Sequence, residues 1–183
     1  FSNMQIYEHC LSHIRQELAR SREDFIVEHR QRYSCPEFPP AWKTMEVISF
    51  GTLSKLFCNF ADKRTKKSIA REFGLPQHLY LESWMKAIAV LRNVCAHHAR
   101  VWNRRFPVRP QLPRKLENAW ITRPVPDSDK LYPILTTLAY WTDRIYPAAT
   151  FKQDLVRLIE KYPIVDIAAM GIPKDWENEP LWK

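Results

Sequence analysis

The stretch HLYLESWMKAIAVLRNVCAHH, residues 78–98, decides how this chain is read. Its apolar residues Leu81, Trp84, Met85, Ile88, Leu91 and Cys95 recur at intervals of three and four, the spacing that lines one face of an α-helix. A helix from about His78 to His98 is therefore predicted, with those six side chains turned inward. Just upstream, Gly74-Leu75-Pro76 ends whatever precedes it, because glycine accepts the left-handed conformation that closes a helix and proline cannot continue one.

The same periodicity spreads outward in both directions. Towards the N-terminus, Asp62 fits the N-cap of a helix over Lys63–Phe73, and Pro39-Pro40 open a long helix from about Ala41, with Gly51 as its kink. Tyr7, Cys10, Leu11, Ile14 and Leu18 mark an amphipathic helix from Met4 to about Ser21, which Glu23–His29 either extends or follows with a second. Towards the C-terminus, five prolines (Pro107, Pro110, Pro113, Pro124 and Pro126) interrupt residues 101–130, which read as one long loop. Helices resume over Leu131–Tyr146, burying Leu135, Leu138, Trp141 and Ile145, and over Thr150–Lys161, burying Leu155, Leu158 and Ile159. The tail is expected to dock through Trp176 and Trp182. With 3 glycines, and 14 prolines gathered between the periodic stretches, the expectation is an all-α fold.

A length of 183 residues and 45% hydrophobic content suit a single helical domain with its own core. The chain starts at Phe1, in sequence that already reads as helix, so it is expected to be the C-terminal part of a longer protein. Cys10, Cys35, Cys58 and Cys95 show neither a C-x-x-C pair nor a disulfide framework and read as free thiols. No apolar run approaches the roughly 20 residues of a membrane span, and no signal peptide is evident, so a cytoplasmic location is expected. The net charge of +8 favours a polyanionic partner.

The end of the predicted 78–98 helix carries the chemistry. Asn93 and His97 are four apart and share a face; Arg92 sits about 140° round the helix from His97, a gap that a long guanidinium stem or a distorted helix end would have to close. Metal-free RNA cleavage needs a base for the ribose 2′-OH, an acid for the 5′-oxygen and a cation for the crowded phosphorus. Histidine suits the first two and arginine the third. Asn93 would either hold the imidazole in one tautomer or bind a phosphate oxygen. Spacing alone equally allows a plainer role, in which these residues cap carbonyls at a helix C-terminus.

The string Leu91-Arg92-Asn93-Val94-Cys95-Ala96-His97-His98-Ala99-Arg100-Val101-Trp102-Asn103 resembles the hallmark segment of the Abi-like family of abortive-infection phage-resistance proteins. Ser21–Ile26, Pro39–Trp42 leading into Glu46–Lys55, and Met170-Gly171-Ile172-Pro173 with Trp176 resemble the same family in the same order. That family is placed among the HEPN helical bundles, whose nucleases carry R-N-x-x-x-H, matched here by Arg92, Asn93 and His97. The resemblance implies a HEPN-like bundle and a homodimer with a composite active site. It also implies a metal-independent endoribonuclease with no cofactor, and His98, an addition typical of the Abi-like branch, is a candidate for a supporting role, as are Glu23 and Asn103 from their own chemistry. A non-catalytic RNA-binding or regulatory module of a phage-defence or toxin–antitoxin system is the alternative, and a protein-interaction module a third reading. A regulatory RNA or an antitoxin would then be a further partner.

Two basic clusters are candidates for an RNA track. One is Lys63, Arg64, Lys66, Lys67 and Arg71; the other is Arg100, Arg104, Arg105 and Arg109 with Arg114 and Lys115, beside Trp102 or Phe106 for base stacking. A solvated face is the plain alternative for both. Glu23 would orient Arg92 if it lay nearby, and His29 reads as a surface histidine. Cys95, His97 and His98 make a poor metal site, since neighbours on a helix diverge.

Overall fold

The protein, described over residues 1–183 by a computed structural model, consists of eight α-helices and three short 3-10 turns, with no strand. It is all-α, as the periodicity requires. The chain divides into two compact units, Phe1–Asp62 and Lys63–Lys183.

In the first unit, α1 (Met4–Arg20) starts where the Asn3 side chain accepts the Ile6 amide at 3.1 Å, and it buries Cys10, Ile14 and Leu18. After it come α2 (Asp24–Arg32), α3 (Ala41–Val47) and α4 (Phe50–Asn59). Ile26, Ile48 and Leu56 complete the core around the buried face of α1. The single long helix expected from Ala41 is two helices, and the break lies ahead of Gly51. Ile48 and Ser49 are extended, Ser49 Oγ accepts the Thr52 amide at 3.2 Å, and the Glu17 carboxylate of α1 takes the Ser49 amide at 2.9 Å and the Thr52 hydroxyl at 3.2 Å. A cap built partly from another helix replaces the continuous ladder. Asn59 ties the N-terminus down, accepting the Asn3 amide at 2.9 Å and donating to the Asn3 carbonyl at 2.8 Å.

In the second unit, α5 (Lys63–Glu72) packs on α6 (His78–Ala96), α6 on α7 (Leu131–Ile145), and α7 on α8 (Phe151–Lys161). Ten of the fifteen residues of α7 are buried, as expected for a helix apolar on nearly every side. Its core is aromatic: Trp84 stacks on Trp120 with ring centroids 5.7 Å apart, and Tyr140 meets both edge-on. Such pairs contribute about 0.5–1.5 kcal/mol each beyond their buried area. The indole N–H groups then pin the proline-rich loop. Trp84 donates to the Gln111 carbonyl at 2.7 Å and Trp120 to the Pro113 carbonyl at 2.8 Å. Phe106, Leu116, Trp120 and Ile121 are buried beneath the loop, and the Phe106 amide reaches the Asp129 carbonyl at 2.7 Å. The tail docks as its aromatics predict: Trp176, Leu181 and Trp182 are buried, and Trp182 Nε1 donates to the Tyr132 hydroxyl at 3.1 Å.

Three expectations about buried faces fail. Cys95 is exposed, because the inward line passes through Leu91 and Val94 as α6 ends. Ile145 is exposed at the last residue of α7, and α8 buries no residue fully, leaving Leu158 55% exposed.

Candidate functional site

The last turn of α6 presents the motif, and the way that helix ends determines what its side chains are free to do. His97 is the C-cap, and His98 follows with φ 50°, in the left-handed region. The His98 amide bonds to the Cys95 carbonyl and the Ala99 amide to the Val94 carbonyl, both at 3.0 Å, which is the paired closure of a Schellman motif. The His97 amide takes the Asn93 carbonyl, also at 3.0 Å. Three of the last four carbonyls of α6 are thus satisfied by backbone. Most of the capping role that spacing allowed for the imidazoles is already filled by backbone.

Arg92, Asn93, His97 and His98 are all exposed. Arg92 Nη1 approaches Asn93 Oδ1 at 3.4 Å, a long and weak hydrogen bond, and this side-chain contact within the motif is between neighbours in sequence. Neither imidazole hydrogen-bonds within the chain, and no carboxylate pairs with Arg92. The end of α6 thus carries a cation, an amide and two imidazoles without hydrogen bonds, all open to solvent, of which Arg92 and Asn93 alone share a hydrogen bond. No group of three or more His, Cys, Asp or Glu side chains is placed to hold a metal ion.

The residues after the motif divide into spent and unspent cations. Asp129, half-buried, accepts from Arg105 at 2.6 Å and lies 3.7 Å from Arg109. The hydrogen bond from Arg105 is the largest influence holding the Asp129 carboxyl below the usual aspartate range. Arg100 and Arg104 pair with no carboxylate; Arg104 only reaches the Arg100 carbonyl, at 3.5 Å. Asn103 is also left-handed, with φ 51°, and accepts from Lys130 Nζ at 2.9 Å, so it joins the two ends of the loop. Phe106 is 2% exposed and unavailable to a base, which corrects its stacking role. Trp102 is 39% exposed, with its indole N–H on the Asp166 carbonyl at 3.0 Å.

Of the other candidates, Lys66 leaves the exposed basic face of α5: it is 5% exposed and paired with Glu82 at 2.6 Å. Glu23 flanks the start of α2 in the first unit, where its amide takes Ser21 Oγ at 3.3 Å. His29 is a buried histidine rather than a surface one, lying against Tyr33 with ring centroids 5.0 Å apart. Sequence reasoning missed Asp129 as the acid partner, for nothing near the motif signals a carboxylate 24 residues beyond Arg105. No helix is long and apolar enough to cross a membrane.

A family profile described as Abi-like protein matches residues 2–103, more than half of the chain and ending at Asn103, the last residue of the motif segment. No curated protein and no solved structure matches the chain.

Proposed function

The chain belongs to the Abi-like protein family, and from that premise we propose that it is a metal-independent endoribonuclease of the HEPN type, acting in the bacterial cytoplasm in abortive-infection phage defence. The observation that carries the reading is the self-closed end of α6. Backbone groups finish the helix, and Arg92, Asn93 and His97 remain exposed with no structural employment beyond one long contact.

The chemistry rests on the residue types and, for the pairing of two protomers, on the family resemblance. His97 of one protomer takes the proton from the ribose 2′-OH as that oxygen attacks the adjacent phosphorus. His97 of a second protomer protonates the departing 5′-oxygen, and the products are a 2′,3′-cyclic phosphate and a 5′-OH. Arg92 offers fixed charge and a bidentate fork to the phosphoryl oxygens as negative charge builds on them. Asn93 either holds an imidazole in one tautomer or binds a phosphate oxygen. An open half-site on one protomer suits completion by a homodimer, with RNA as substrate and a regulatory RNA or antitoxin as a further partner.

The test is cleavage of a fluorescent RNA in EDTA, beside binding and melting controls. His97→Ala is expected to lower the rate by about 10² to 10⁴ while leaving the fold and RNA affinity close to wild type. Full activity in well-folded His97→Ala would remove the catalyst, and loss of wild-type activity in EDTA would point to a metal nuclease. RNA binding by a wild-type protein that never cleaves would favour the non-catalytic RNA-binding module.

A further inference from the structure

The face of α1 carries two histidines one turn apart, His9 and His13, that the proposed cleavage does not use. Their Nε2 atoms are 3.1 Å apart, and the rings are nearly perpendicular, at 76°. His9 is exposed and His13 half-buried. A single N–H···N hydrogen bond accounts for that distance only if one ring carries its proton on Nε2 and the other on Nδ1. Bonds of about 2.0–2.1 Å from each Nε2 to a common ion would subtend about 95–102° across the same 3.1 Å, between the square and tetrahedral ideals. The two imidazoles already stand at chelating distance.

From this geometry we propose that His9 and His13 form a bidentate site for a borderline divalent transition ion such as Ni(II) or Zn(II). Imidazole nitrogens select these ions over Mg(II) and Ca(II), which prefer oxygen. The next carboxylate along the same line of α1, Glu17, is committed to the start of α4 through Ser49 and Thr52, and no third protein donor joins the pair. Water fills the remaining positions, so the ion exchanges readily. On binding, the ring that held its proton on Nε2 moves it to Nδ1, and the step is neutral in protons. The site uses none of Arg92, Asn93 and His97, so stripping the ion with a chelator is expected to leave RNA cleavage unchanged.

Calorimetric titration of the purified protein with Ni(II), with Mg(II) as control, tests the proposal. Wild type is expected to bind one equivalent more than the His9→Asn/His13→Asn double variant. Each single variant should weaken that equivalent at least about tenfold, because one monodentate imidazole is left. Exposed Cys35 and Cys95 add the same background to every protein and cancel in the comparison. In Zn(II), the ring-nitrogen NMR signals of His9 and His13 are expected to move together, while circular dichroism shows that the double variant keeps its helix content. Equal stoichiometry and affinity in wild type and double variant, or ring signals that stay still, would overturn the site.

Discussion

Replacing His98 by glycine should stabilise the protein, and the size of the gain follows from its backbone. An L-residue in the left-handed region costs about 1–2 kcal/mol relative to its preferred conformations, and His98 sits there with φ 50°. Glycine escapes most of that cost but gives back about 0.5–1 kcal/mol in unfolded-chain entropy. The net gain for His98→Gly is about 0.5–1 kcal/mol, or roughly 1–4 °C in Tm for a chain of this size. His98→Ala keeps the strain and loses no hydrogen bond, so it should stay within about 0.5 kcal/mol of wild type. The assay is urea and thermal unfolding of the three proteins side by side. A glycine variant no more stable than the alanine variant would show that the left-handed turn at position 98 carries no strain worth relieving. Run through the RNA-cleavage assay as well, the pair should both be milder than His97→Ala, since only His97 matches the R-N-x-x-x-H position.

At Gly74, φ is +70° and an added Cβ would run into Tyr140 Oη, so Gly74→Ala should lose about 2–4 kcal/mol, measured as a lower urea midpoint. Burial pushes the Glu179 carboxyl up, yet hydrogen bonds from Arg123 and Thr122 outweigh it and hold the group below the ordinary glutamate range. Its contribution is therefore complete above the unfolded glutamate value and lost as pH falls through the folded one. Unfolding series from pH 6 to pH 2 should show a shallower acid loss in Glu179→Gln than in wild type. Arg100→Ala and Arg104→Ala should weaken RNA binding and reduce the slope of log K against log salt by roughly 0.7 per lost phosphate contact, as read by fluorescence anisotropy. Arg105→Ala and Arg109→Ala should change the slope less, because Asp129 already offsets their charge.

What the sequence alone conveyed, and where it stopped, has a common physical cause. Period and punctuation are local, so α1, α6 and α7 were legible to within a residue or two, as were the proline-rich loop and the docked tail. The readings that failed depend on partners far away in the chain. The break at Ile48–Ser49 needs Glu17, 32 residues before Ser49, and nothing between Ala41 and Asn59 announces it. Lys66 belongs to a basic run by sequence and to a buried pair with Glu82 by structure. Phe106 looks like a surface aromatic among arginines, yet the loop folds it inward and fastens its amide to Asp129.

The site shows the same division, and the comparison of two helix ends sharpens it. The placing of Arg92, Asn93 and His97 at one helix end was legible because the motif is contiguous, but the employment of their neighbours was not. α5 and α6 end by the same device. At α5 the Leu75 amide reaches the Ala70 carbonyl at 2.9 Å and the Gly74 amide the Arg71 carbonyl at 2.8 Å; at α6 Ala99 and His98 make the equivalent pair of bonds. The left-handed position is glycine in the first case and histidine in the second. Where only closure of the helix is at stake, the residue without a Cβ occupies it, as steric cost dictates. At α6 the chain keeps an exposed imidazole in a conformation that glycine would hold more cheaply, and that imidazole makes no hydrogen bond, ion pair or ring contact in the chain. A left-handed histidine directly beside His97 that makes no hydrogen bond supports the proposal that this turn presents its side chains to a substrate.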